Sequence, residues 1–164
     1  MRKGIIEAIG NTPLVELSSL SEKTGCRILA KCEHLNPGGS VKDRAALKMI
    51  EEAENAGILL KGGYVCEGSG GNTGVALAMI AAAKGYKAFI AIPEIASKEK
   101  VEAIKRYGAE YKICPMVGFT DANNYFHVAA EFSKNNPGSL FTNQFNNFAN
   151  MKAHYEGTAP EIWR

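Results

Sequence analysis

Residues 64–84 read YVCEGSGGNTGVALAMIAAAK, and this stretch decides the fold. It opens with a short β-branched and aromatic run from Tyr64 to Glu67, which predicts a strand. A glycine-rich turn follows, and then a run from Asn72 to Lys84 that is apolar on every side. A helix without a polar face is buried between layers of structure. Strand, tight turn and buried helix in this order are typical of α/β proteins.

The same alternation continues outward from this stretch in both directions. Short strand-like runs are found at Ile28 to Cys32, Tyr64 to Glu67, Ala88 to Ile92, Tyr111 to Cys114 and Leu140 to Thr142. Runs of helical period lie at Asp43 to Ala56, Asn72 to Lys84, Lys98 to Tyr107 and Asp121 to Lys134. Repeated β-α-β order predicts an α/β fold with a parallel sheet flanked by helices.

Local signals support these boundaries. Gly57, Gly85 and Gly108 each follow a helical run, where a left-handed residue closes a helix. Ser97 precedes the run that begins at Lys98, as an N-cap does. After Pro160 the chain shows the first turn of another helix, Glu161 to Arg164.

Composition narrows the class of partner. The chain has 164 residues, 46% of them hydrophobic, and 19 basic against 17 acidic residues give a formal charge of +2. The charges are interspersed, so neither nucleic acid nor a membrane surface is an expected partner. No segment approaches the ~20 apolar residues of a membrane helix. The N-terminus lacks a signal-peptide core. We expect a cytoplasmic protein whose four cysteines are free thiols.

Asn36 to Arg44 reads NPGGSVKDR, a glycine-containing turn that leads into a helix. Lys42 falls in the first helical turn, where the helix dipole disfavours a cation. One interpretation is a solvated lysine that tolerates this position. The other is an amine whose pKa is lowered by the same field and by burial, which makes it a nucleophile for an aldehyde.

Two further segments are ambiguous when taken singly. Glu67 to Gly74 forms a glycine-rich turn before a helix, which suits a carboxylate or phosphate but is as often a tight structural turn. Its spacing is not that of a dinucleotide fingerprint, since Thr73 occupies the third glycine position. Phe141 to Asn147 is an asparagine-rich loop after a strand, where ligands collect in parallel sheets. Cys32 to His34 offers too few ligands for zinc, so no metal site is expected.

Taken together, these segments resemble one family in the right order along the whole chain. The chain is similar to the fold-type-II pyridoxal-phosphate enzymes, specifically to the cysteine synthases (O-acetylserine sulfhydrylases) and the related cystathionine β-synthases. The motifs that carry the resemblance are Gly10–Leu14, Ser40–Arg44, Gly71–Gly74, Phe145–Asn147, His154–Tyr155 and Pro160–Trp163.

The resemblance implies roles for specific residues. Lys42 would be the catalytic lysine that carries pyridoxal 5'-phosphate, and Asn72 would hydrogen-bond the ring hydroxyl oxygen of that cofactor. The residues implied to grip the α-carboxylate of the amino-acid substrate are Ser69, Gly70, Gly71, Asn72, Thr73 and Gln144. The implied reaction is β-replacement on an activated serine, in which O-acetylserine and sulfide give cysteine and acetate. Cystathionine synthesis or another β-replacement is the alternative.

Cysteine synthases commonly carry a second hydroxyl where this chain has Gly70. Loss of one hydrogen bond to a charged group costs roughly 1.5–3 kcal/mol, so substrate identity is less firmly implied than family.

Family members are about twice as long as this chain, and the resemblance places the phosphate-binding loop in their second half. We therefore expect an N-terminal half with three parts. Residues 1–34 would pack on the absent C-terminal domain, 35–147 would form a small α/β domain, and 148–164 would begin the return to the absent domain. Apolar surface near Trp163 would be exposed. The full-length form would be a homodimer. The alternative from another class is a short, inactive homologue that serves as a binding or regulatory partner.

Overall fold

The computed structural model describes residues 4–163. Its strands are β1 Leu14–Glu16, β2 Leu29–Lys31, β3 Tyr64–Gly68, β4 Lys87–Pro93, β5 Glu110–Cys114 and β6 Leu140–Phe141. Its α-helices are α1 Ser18–Thr24, α2 Lys42–Asn55, α3 Asn72–Lys84, α4 Lys98–Arg106, α5 Tyr125–Lys134, α6 Phe148–Ala153 and α7 Ala159–Trp163. Short 3-10 turns lie at Ile6–Ala8 and Glu33–Leu35, and a π-helical turn at His154–Thr158 joins α6 to α7.

The predicted parallel sheet is confirmed, and its strand order is β5-β4-β3-β6. Val65 of β3 lies opposite Ala88 of β4 on one side and opposite Leu140 of β6 on the other. The chain moves outward from β3 through β4 to β5 and then returns to place β6 beside β3. The order therefore reverses between β3 and β6, which is where open α/β sheets bind ligands. β2, predicted as a strand, pairs instead with β1 in a separate antiparallel ladder.

Helices cover both faces of the sheet. α2, α3 and α4 pack together on one face, and α5 packs on the other against β3, β4 and β6. Side chains alternate between the two faces of the sheet along β3 and β4. Val65 and Ile90 therefore pack in the core on the face covered by α3, and Cys66 and Phe89 pack in the core on the face covered by α5. Every residue of α3 from Thr73 to Ala81 is buried, because this helix touches the sheet, α2 and α4. The prediction of a helix buried on all sides is confirmed.

Side-chain or backbone caps are found at several of the predicted helix ends. Helix α3 has the predicted bounds. The Ser97 side chain accepts a hydrogen bond from the backbone N–H of Lys100 at 3.4 Å, as an N-cap does. Gly85 closes α3 in the left-handed conformation with φ 78°. Gly57 and Gly108 are also left-handed, each one residue beyond the C-cap of its helix.

Helix α5 begins at Tyr125, so the predicted start at Asp121 is wrong. The Asp121 carboxylate accepts a hydrogen bond from the backbone N–H of Asn123 at 2.7 Å, which holds a turn in place of a helix. Asn124 then caps α5 by accepting from Phe126 N at 3.0 Å. Short polar side chains compete with helical hydrogen bonds in this way, and the sequence period alone does not reveal it.

The helical turn predicted from Glu161 to Arg164 is found as α7, although Arg164 lies outside the described residues. The expected exposure of apolar surface is also found there, since Trp163 is 92% exposed. Leu14, Val15 and Leu29 of the β1–β2 ladder are exposed as well. Among residues 4–163, no helix combines the length and the apolar character that a membrane crossing requires.

Candidate active site

Two of the segments singled out from the sequence meet at one edge of the sheet. α3 begins directly after β3, and the loop from Thr142 to Asn147 follows β6, the neighbour of β3. One helix start and one polar loop therefore lie at the carboxyl ends of two adjacent strands. α2 packs against α3 and against α6, which follows that loop.

Lys42 is the first residue of α2 and is half-buried. Its side-chain amine makes no ion pair with any group in residues 4–163, whereas the nearby Arg44 and Lys48 are both paired. His154, half-buried on the π-helical turn, lies close enough to respond to this amine. Burial, together with the positive charges of Lys42 and Arg44, lowers the pKa of His154. A neutral imidazole thus accompanies the lysine at neutral pH. The sequence analysis named His154 within a motif but gave it no role at the site.

The loop from Ser69 to Thr73 opens α3. The Ser69 hydroxyl oxygen accepts from the backbone N–H of Gly71 at 3.3 Å and of Gly74 at 3.2 Å, which ties the loop to the helix start. Asn72 is exposed as the first helical residue, and a side chain at Gly71 would meet open space. The backbone at this helix start is therefore accessible to an anionic group.

Gly70 is glycine for a steric reason. A Cβ atom built there would lie 2.9 Å from Pro93 Cγ, closer than real Cβ contacts come, and 3.0 Å from Ala96 Cβ, which is a tight contact. The end of β4 and the turn after it occupy the space that a side chain would need. The absent hydroxyl at this position reflects local packing, and a depression of about 450 Å³ that reaches Lys100 lies beside it.

Gln144 joins the second loop to the first. Its side-chain carbonyl Oε1 accepts a hydrogen bond from the Thr73 hydroxyl at 2.7 Å. Asparagines before and after Gln144 shape the backbone of this loop. Asn143 is left-handed with φ 46°, and Asn147 caps α6 by accepting from Ala149 N at 3.0 Å. The structure therefore brings Thr73 and Gln144 into direct contact, although they are 71 residues apart.

Glu67 lies beneath this contact and was not predicted as a site residue. It is fully buried near the end of β3 and accepts hydrogen bonds from the Thr142 hydroxyl and from the backbone N–H of Gln144. Burial raises the pKa of Glu67 against the effect of these hydrogen bonds. The signal in the sequence was an acidic residue at the end of an apolar strand.

A buried charge cluster holds the start of α2. Arg44 forms paired contacts to both oxygens of Glu33 and to both oxygens of Glu161, with all four N···O distances between 2.6 and 2.8 Å. Lys31 Nζ adds a contact of 2.6 Å to Glu161. Burial would raise the pKa of Glu33, but hydrogen bonds from Arg44, Thr12 and Asn36 outweigh it and lower that pKa to about 2. Hydrogen bonds from Arg44 and Lys31 lower the pKa of Glu161 to about 2 as well.

The donor set suits an aldehyde cofactor that attaches to a lysine. Lys42 offers a primary amine without a competing ion pair, and the exposed Asn72 side chain makes no hydrogen bond within residues 4–163. Those residues contain no group of three or more potential metal ligands, and Glu33 of the Cys32–His34 segment is engaged by Arg44.

The fold and this edge define an α/β unit with a lysine at the start of one buried helix and an accessible backbone at the start of another. A family model for pyridoxal-phosphate dependent enzymes matches residues 5–164, so the chain belongs to that family. The predicted family and the predicted dependence on pyridoxal phosphate are confirmed.

The chain is similar to cysteine synthase 1 of Neurospora crassa, with 50% identity over 98% of this chain and 43% of that protein. It is 44% identical to cystathionine beta-synthase of Apis mellifera over 98% of this chain and 32% of that protein. Among solved structures, O-ureido-L-serine synthase superposes with a TM-score of 0.90 at 36% identity, covering 99% of this chain and 50% of that one. The chain thus spans half or less of the length of these relatives.

Proposed function

We propose that this chain carries the lysine side of an active site for β-replacement on an activated serine, with O-acetylserine and sulfide converted to cysteine and acetate. The observation that carries the proposal is the hydrogen bond from Thr73 to Gln144. It joins two loops at the carboxyl ends of β3 and β6, and α2, which begins with Lys42, packs against the helices that follow these two loops. The 50% identity to a cysteine synthase supports the same reaction.

In this proposal the side chains act at stated atoms. Lys42 Nζ would hold the cofactor and, when free, would take the proton from the substrate Cα. When bound, pyridoxal phosphate supplies the electron sink that stabilises negative charge at that carbon. The Asn72 side chain would hold the ring hydroxyl group of the cofactor.

The substrate α-carboxylate is assigned to the loop from Ser69 to Thr73 and to Gln144. The backbone N–H groups at the start of α3 and the dipole of this 13-residue helix favour an anion there. Gly71 lets the carboxylate approach the backbone closely, because the space that a side chain would fill there is open.

A cystathionine β-synthase reaction, or another β-replacement, is the alternative within the same site. It differs in the incoming nucleophile and the leaving group, and the 44% identity to a cystathionine beta-synthase supports it. The residues that bind the amino acid would be unchanged.

The organisation of the whole protein is part of the proposal. We divide the chain into 1–34, 35–147 and 148–164, with the first and last parts packed on a further domain of a cytoplasmic homodimer. Four exposed aromatic side chains support such packing: Phe145, Phe148, Tyr155 and Trp163. The same surface would serve a short homologue that binds a partner without catalysis.

The test is to record the visible spectrum of the purified protein with pyridoxal phosphate, before and after O-acetylserine, and to assay cysteine after sulfide is added. We expect a cofactor band that shifts with O-acetylserine, and cysteine as product. Homocysteine with serine is the comparison for the alternative reaction. The proposal fails if the band and the product persist in Lys42→Ala. Association with a longer homologue, without any cofactor band, would favour the binding partner.

A further inference from the structure

Glu67 is a buried carboxylate without a cation. Its side chain is fully buried, and no lysine, arginine or histidine in residues 4–163 forms an ion pair with it. An unpaired charge in such a place is costly, and an apolar residue would complete a strand at lower cost. The acid is therefore better explained by the hydrogen bonds that it accepts.

Three of those hydrogen bonds come from the segment that follows β6, and the backbone of the neighbouring Gly68 gives another. Thr142 donates its hydroxyl to Oε2, and Gln144 donates its backbone N–H to the same oxygen at 3.2 Å. The side-chain nitrogen Nε2 of Gln144 donates to Oε1 at 3.5 Å. Glu67 thus anchors a loop of β6 from the neighbouring strand β3.

The contact to Nε2 has a directional consequence. The side-chain nitrogen of Gln144 donates to Glu67 Oε1, so the nitrogen of this amide faces Glu67 and the oxygen faces away from it. That oxygen accepts from the Thr73 hydroxyl at 2.7 Å. The second hydrogen of Nε2 makes no hydrogen bond within residues 4–163, and it is available to a ligand.

We infer that Glu67 is a positioning residue, which fixes the Gln144 amide between Thr73 and the carboxylate of an amino-acid substrate. The inference rests on the proposed function, because that function assigns Gln144 and Thr73 to substrate. Without the acid, the amide can turn over, and it would then present its oxygen to an anion.

The first test needs neither cofactor nor substrate. Glu67→Gln keeps the size of the side chain and removes its acceptor-only character. In the ¹⁵N–¹H spectrum of the 164-residue chain, we expect the side-chain NH₂ signals of Gln144 to shift in this variant. The signals of the distant Asn136, whose amide donates to Phe132 O, should stay in place. Unmoved Gln144 signals would overturn the inference.

The second test measures affinity for L-alanine, which has the α-amino and α-carboxylate groups but no leaving group, in protein loaded with pyridoxal phosphate. We expect Glu67→Gln to weaken binding roughly tenfold, the equivalent of one good hydrogen bond. The urea midpoint should be unchanged or higher, which separates positioning from a general structural role. Glu94→Gln is the control, since Glu94 directly follows the next strand, β4, and is exposed. Its side chain accepts a hydrogen bond only from Met116 N among residues 4–163.

Gln144→Ala distinguishes the positioning role of Glu67 from the substrate-binding role of Gln144. Weaker alanine binding in Gln144→Ala together with normal binding in Glu67→Gln would refute the positioning role alone. Normal alanine binding in Gln144→Ala would refute the assignment of Gln144 in the proposed function, and the inference would fall with it. Loss in both variants, without loss in Glu94→Gln, supports both.

Discussion

Arg44 and Glu161 form a two-contact ion pair across 117 residues, with Nη1–Oε1 at 2.6 Å and Nη2–Oε2 at 2.7 Å. Arg44 lies two residues after Lys42 on α2, whereas Glu161 lies on α7. Glu33 occupies the remaining edge of the same guanidinium. The start of the lysine-bearing helix is thus fixed by groups from both ends of the described chain.

Replacement of Arg44 should destabilise the fold strongly. Arg44→Ala leaves the half-buried Glu33 without a cation and leaves Glu161 with Lys31 alone. Removing one partner of a buried ion pair typically costs about 3–5 kcal/mol, so we expect a loss of up to that size. The measurement is urea unfolding at neutral pH. Arg27→Ala is the matched control, because its pair with Glu16 is exposed and should contribute less than about 1 kcal/mol. Similar losses of unfolding free energy in the two variants would contradict a larger contribution from the Arg44 cluster.

The same cluster predicts a dependence on acid. The pKa of Glu161 falls from its ordinary 4.5 to about 2 in the folded chain. A lowered pKa contributes stability that is complete above pH 4.5 and is lost as the pH falls toward 2. The difference in unfolding free energy between wild type and Glu161→Gln should therefore shrink over this interval. A difference that stays constant from pH 6 to pH 3 would contradict the ion pair.

The glycine loop offers a test of packing against a neighbouring control. Gly70→Ala should lower the free energy of unfolding by roughly 1–3 kcal/mol, since its Cβ would press on Pro93 and Ala96. Gly71→Ala places its Cβ in open space, so it should cost only the loss of a glycine N-cap, below about 1 kcal/mol. Equal effects in thermal or urea unfolding would argue against the steric reason for Gly70.

Much of the fold could be predicted from the sequence, because its signals are local. The apolar run of α3 and the short strands around it report their own burial, and Ser97 and Gly85 mark helix ends by their chemistry. The start of α5 was mispredicted, since Asp121 forms a turn whose hydrogen bond competes with the helix. The β1 strand was not predicted, and its three residues remain exposed.

The candidate site shows the same difference between residues with local sequence signals and residues that depend on distant contacts. Lys42, Asn72 and Gln144 were assigned through motifs, and their roles remain predictions. Glu67, His154 and Glu161 stand in segments quoted from the sequence, but their contacts appear only when distant segments meet. The contact between Glu67 and Gln144 spans 77 residues, and no local pattern encodes it. The reason for Gly70 likewise lies on another element, at the end of β4.

The central claim is that Lys42 carries the cofactor. Its most direct test is to treat the protein with a limiting amount of pyridoxal phosphate, reduce with borohydride to make the lysine bond permanent, and locate the label by peptide mass spectrometry. Lys98 is the internal reference, since it is exposed at the start of α4. Label concentrated on Lys42 while Lys98 stays free is the predicted result. Labelling of Lys42 no greater than that of Lys98 would contradict the assignment.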